Sequence, residues 1–77
     1  MSSFAASVDV RIYEKGKKKS VIFKTFEELG LGETMELIND HDPLPLHQQF
    51  VLNFPEHFEW KYLEQGPEIW RIGITKK

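Results

Sequence analysis

Cysteine is missing from this chain altogether, which excludes disulfides, thiolate metal ligands and any thiol nucleophile. Missing too is an apolar run of about 18 residues, the length a membrane-spanning helix needs. The first residues, MSSFAAS, have neither the basic region nor the long apolar core of a secretory leader. A cytoplasmic chain without a membrane partner is the expectation. No sign of charge dominates: ten Lys plus Arg against twelve Asp plus Glu leave a net charge of -2, too near neutral to mark a nucleic-acid partner. Length is the remaining shortage. The 77 residues allow one domain, 1–77, and a chain this small buries only roughly 60% of the surface its unfolded form exposes. Any site on it is expected to be a shallow groove rather than a deep catalytic cavity.

What is present has clear periodicity. Residues 1–6 read as a loose terminus, and Ser7 to Ile12 as a half-buried strand with Val8, Val10 and Ile12 on one face. The polar segment Tyr13 to Lys19 reads as a loop. Ser20 suits the N-cap of a helix in which Ile22, Phe26 and Leu29 form a buried stripe, with Gly30 as its C′ stop. Lysines before that start and Glu27 and Glu28 near its end oppose the helix dipole, and Val21-Ile22-Phe23 is β-prone. Glu33 to Asn39 reads as a central strand, with Met35 and Leu37 on one face and Glu36 and Ile38 on the other.

Asp42 is positioned to cap the next helix, with Pro43 at N1 and Pro45 still in the tolerant first turn. Leu46, Phe50 and Phe54 repeat along its buried face, and Pro55 ends it. The last third predicts a hairpin: Phe58, Trp60 and Tyr62 alternate with Glu59 and Lys61, Glu64-Gln65-Gly66-Pro67 turns, and Trp70, Ile72 and Ile74 return. The aromatic residues at period-2 spacing are read as core rather than as a base-stacking platform. The elements predict an α/β (α+β) two-layer sandwich in the order βαβαββ, a four-stranded mixed sheet with two helices on one face and the other face open.

Chemistry-bearing side chains concentrate where the central strand runs into the second helix, the place where α/β folds put ligands. Candidate ligand- or partner-binding residues are Asn39, Asp40, His41, Asp42 and His47, joined by Lys17 and Lys18 of the lysine cluster. The same residues have structural readings: Asp42 as cap, Asn39 or Asp40 holding backbone N–H groups of the turn, and His41 leaning on Leu46 as a staple. His41 and His47 are the candidate metal ligands, with Asp40 or His57 as further donors. The spacing H-D-x-x-x-x-H is not a recognised ligand pattern, so no metal and no cofactor is expected. No spacing suggests a nucleophile and base, so a catalytic role is not expected.

The stretches GETMELINDHDPLPLHQQF and FEWKYLEQGPEIWRIGI resemble the family called domain of unknown function 2249, which is similar in fold to the TusA/SirA-like sulfur carriers. The resemblance spans about Val8 to Lys76. It implies the βαβαββ order already read from the periodicity. Sulfur carriers of that fold hold a reactive thiol in a Cys-Pro-x-Pro motif between the first strand and first helix, and relatives in the uncharacterised family often keep a Pro-rich version of that loop. Here that region, Ile12 to Ser20, has neither Cys nor Pro, which excludes persulfide transfer by this chain alone. The leading expectation is a binding or adaptor domain for a protein partner or small ligand. The alternative, drawn from the redox and hemerythrin-like contexts that the resemblance implies, is an accessory domain of redox or metal-handling proteins.

Overall fold

The computed structural model describes residues 4–77, Lys15 by its backbone alone. Met1 to Ser3, the first half of the expected loose terminus, lie outside the described residues. Ala5 already donates its N–H to the Thr34 carbonyl at 2.8 Å. Strand β1 (Ala6–Asp9) pairs in parallel with β2 (Thr34–Asn39), and helix α1 (Lys15–Glu27) connects them. Helix α2 (Leu44–Asn53) leads to β3 (Phe58–Gln65), which turns back into β4 (Trp70–Lys76). β4 lies antiparallel to both β2 and β3, giving the sheet order β1-β2-β4-β3. The four-stranded mixed sheet with two helices is the architecture that the sequence predicts.

One core lies between helices and sheet. Val8, Met35, Leu37, Ile72 and Ile74 from the strands meet Ile22, Phe26 and Phe50 from the helices, all buried. Phe50 is fully buried and packs its ring 4.8 Å from Phe23, 5.1 Å from Phe26 and 5.4 Å from Phe58. A ring so placed joins both helices to the hairpin, and its burial contributes about 2–3 kcal/mol. Trp60 and Tyr62 stand opposite Ile74 and Ile72, with a bulge between Tyr62 and Glu64. The hairpin aromatics are half-buried against this core, as their alternation implies.

The opposite sheet face holds an ion pair between buried Glu36 and half-buried Arg71. Glu36 accepts hydrogen bonds from Ser7 Oγ at 2.9 Å and Arg71 Nε at 2.6 Å, and Arg71 Nη2 also pairs with it. Thr34 and Thr75 share a hydroxyl bond beside it at 2.6 Å.

Four local expectations require correction. β1 stops at Asp9, because its carboxylate accepts the Arg11 N–H at 3.1 Å and starts a 3-10 turn over Val10–Ile12. Val10 therefore stays buried while Ile12 swings out to 76% exposure. Helix α1 begins at Lys15 rather than after Ser20. Lysine is a good helix former, and the turn after β1 leaves no slack for a long loop. Ser20 sits within the helix with Oγ donating to the Lys17 carbonyl at 3.1 Å. The same helix ends at Glu27 with Glu28 as C-cap, so Gly30 is no C′ stop. Gly30 instead gives its N–H to Glu33 Oε1 at 2.7 Å.

The fourth correction concerns Asp42. The N-cap position of α2 is Pro43, with no side-chain cap bond, and Pro45 falls in the first turn. Asp42 is not the cap because the Tyr62 hydroxyl takes its carboxylate, donating to Oδ1 at 2.8 Å. Its backbone carbonyl meanwhile accepts the Leu44 N–H at 2.9 Å.

Candidate functional site

Parallel strands β1 and β2 both end at the same edge of the sheet, and each is followed by a helix that starts there. The opening turns of α1 and α2 therefore stand side by side above the strand ends. A groove of about 510 Å³ lies between them, within the range of small-ligand sites. Its apolar walls are Val10, Ile22, Pro43, Pro45 and Leu46. Its polar lining is Lys18 and Lys19 from α1, Asn39 from the end of β2, His41 from the turn and Gln49 from α2.

Three of the sequence-predicted residues meet here: Asn39, His41 and Lys18. Asn39 is 5% exposed, and its Oδ1 accepts the Asp40 N–H at 2.9 Å. That bond fixes the amide orientation and leaves Nδ2 without a hydrogen-bond partner among the described residues. Asp40 stands just outside the groove and holds His41 Nδ1 at 2.7 Å. The bond to His41 and the nearby positive charge of Lys18 keep the Asp40 carboxyl below its usual range. His41 is exposed rather than folded back as a staple on Leu46.

The others are placed elsewhere. Lys17 is exposed in the first turn of α1, where its N–H bonds the Glu14 carbonyl at 2.9 Å. Asp42 is turned toward Tyr62. Burial first, and the bond to Asp42 second, raise the Tyr62 hydroxyl above its ordinary pKa, while the indole N–H of Trp60 acts weakly the other way. That N–H falls short of a hydrogen bond and is buried without a partner among the described residues. His47 stacks on Trp60 with ring centres 4.5 Å apart, and meets Phe58 edge-on at 6.0 Å. It thus faces the hairpin while His41 faces the groove. Among the described residues no three His, Asp or Glu side chains gather as metal ligands.

Lys19, Leu46 and Gln49 are groove residues that the sequence reading did not select. Their signal was helical phase. Lys18 and Lys19 lie four and three residues before buried Ile22, and Gln49 lies three after Leu46, so each pair shares a helix face.

Among known proteins, a family described as uncharacterized conserved protein (DUF2249) matches residues 7–76. No curated protein and no solved structure matches the chain.

Proposed function

Because the chain belongs to the DUF2249 family, whose description assigns no activity, we propose from its geometry that it is a non-catalytic binding domain, working through the groove between α1 and α2. The observation that carries this reading is an apolar cleft of about 510 Å³ beyond the ends of two parallel strands, bordered by Lys18, Lys19, Asn39 and His41. Open α/β sheets place ligands at that location. No hydroxyl lines the groove among the described residues, so no serine, threonine or tyrosine nucleophile stands beside the Asp40–His41 pair at its rim. The likeness to TusA/SirA-type carriers enters as part of the proposal: a layout of the same element order, with binding in place of thiol chemistry. Cytoplasmic residence belongs to the same reading; among the described residues no helix is long and apolar enough to cross a membrane.

A small-fragment screen followed by amide and methyl NMR tests this reading. Binding fragments are expected to shift Val10, Ile22, Leu46 and Gln49 together. Fragments that collect instead on the open sheet face around Arg71, or scatter without preference, would refute it.

A further inference from the structure

Resting on the reading of the groove as a binding site, we propose that its occupant is a small amphiphilic anion: an apolar body carrying one carboxylate or phosphate head. The polar lining selects for acceptors. Lys18 and Lys19 offer ammonium groups, which only donate. Asn39 is 5% exposed, with Oδ1 committed to the Asp40 N–H, so the Nδ2 donor at the groove wall lacks an acceptor among the described residues. Among the described residues the buried side-chain polar atom without a partner is Trp60 Nε1, so Asn39 Nδ2 reaches the open space of the groove, where water or an acceptor on a ligand can take its N–H. Among the described residues no carboxylate lines the groove to supply that acceptor. Asp40, whose carboxyl feels the charge of Lys18, is held by His41 at 2.7 Å.

Charge points the same way. The first turn of α1 contains no acidic residue, and its lysines stand at the positive end of the helix dipole, an arrangement that opposes folding and that a bound anion relieves. Lys19 Nζ lies 5.9 Å over the Phe23 ring, a weak contact that leaves its donors available. The body of the ligand follows from the walls: exposed Pro45 and half-buried Leu46 present apolar surface over buried Val10, Ile22 and Pro43, and a bare inorganic ion would leave it uncovered.

The test is a titration of the whole chain, followed by NMR, with octanoate, octyl phosphate, octanamide, octylammonium and inorganic phosphate. A charged acceptor in place of a neutral one is expected to tighten binding about tenfold, so octanoate or octyl phosphate should exceed octanamide by that factor. Octylammonium should be weakest, and inorganic phosphate should not saturate. The ratio of the two anions assigns carboxylate or phosphate. In the variant Lys18→Glu/Lys19→Glu, folding is retained because Lys19 is exposed and Lys18 only half-buried, and glutamate matches lysine in helix propensity. Octanoate should there fall to or below the level of octanamide, since like charges now face it, while octanamide keeps its affinity. Equal binding of octanoate and octanamide to the wild-type groove would overturn the anion assignment and leave the groove reading standing. A preference that survives the double reversal would also overturn it. Failure of every probe to shift groove residues would overturn both.

Discussion

Replacing Asp42 separates two roles for one carboxylate. As an N-cap it would lose about 1 kcal/mol on conversion to alanine, whatever stands at position 62. The structure instead bonds Oδ1 to the Tyr62 hydroxyl at 2.8 Å. A hydrogen bond to a charged group nets about 1.5–3 kcal/mol, and the lower end applies because both side chains are only half-buried. Asp42→Ala and Tyr62→Phe should each cost about 1.5 kcal/mol, and the double variant little more than either, a coupling of about 1 kcal/mol. With a urea slope of about 1 kcal/mol/M for a small chain, each single change moves the midpoint by roughly 1–1.5 M. Additive losses within about 0.3 kcal/mol would refute the bond and restore the cap.

Alkaline titration provides an independent check on the same contact. Tyr62 is raised above the ordinary tyrosine value of 10.0, by burial first and the Asp42 bond next. The folded chain therefore keeps that proton after the unfolded chain has lost it. Tyr62 should accordingly reduce stability as pH rises past about 10. Tyr62→Phe should remove this contribution, and Asp42→Ala should shrink it without abolishing it, since burial remains.

Arg71→Met should cost about 2 kcal/mol in chemical denaturation. It leaves Glu36, whose side chain is 12% exposed, with Ser7 alone, and the figure falls below the 3–5 kcal/mol of a fully buried pair because the Arg71 side chain is 36% exposed. Adding Glu36→Gln should recover part of the loss. Gly66→Ala should cost about 2 kcal/mol: its φ is +59° and an added Cβ would stand 2.8 Å from Trp70 Nε1, combining backbone strain with a displaced ring. Incubation with a cysteine desulfurase should leave no persulfide adduct by mass spectrometry, since the chain has no thiol. Zinc titration should shift the His41 and His47 ring resonances only at roughly high-micromolar levels or above, because one ring stacks on Trp60 and the other is bonded to Asp40. Stoichiometric metal retained through purification would contradict this.

Strand and helix order was readable because burial in this chain follows the two regular periods. Met35 and Leu37 alternate in β2, and Trp60 and Tyr62 alternate in β3, so each strand's core face follows from its sequence. Element ends were harder, since they are decided by single side chains with two uses. Asp9 could continue a strand or cap a turn, and its bond to the Arg11 N–H decides for the turn. Asp42 precedes a proline as a cap should, yet a tyrosine twenty residues away claims it. Local pattern does not reveal a competitor that only the folded sheet brings near.

The same distinction explains the candidate site. Asn39, His41 and Lys18 were selected by chemical type and position, and all three line the groove. His47 was selected on those grounds as well, but it is three residues before Phe50 and seven before Phe54, so its ring shares their face and meets Trp60. Chemical type identified donors, whereas helical phase determined which of them face the groove. The phase of α1 depended in turn on where the helix begins. A loop through Lys19 gives the lysines no fixed direction, while a helix from Lys15 sets Lys18 and Lys19 beside buried Ile22. The helix start at Lys15 and the place of Lys19 at the groove therefore have one cause: the helix propensity of the lysine run and its distance from Ile22, both present in the sequence beside its charge.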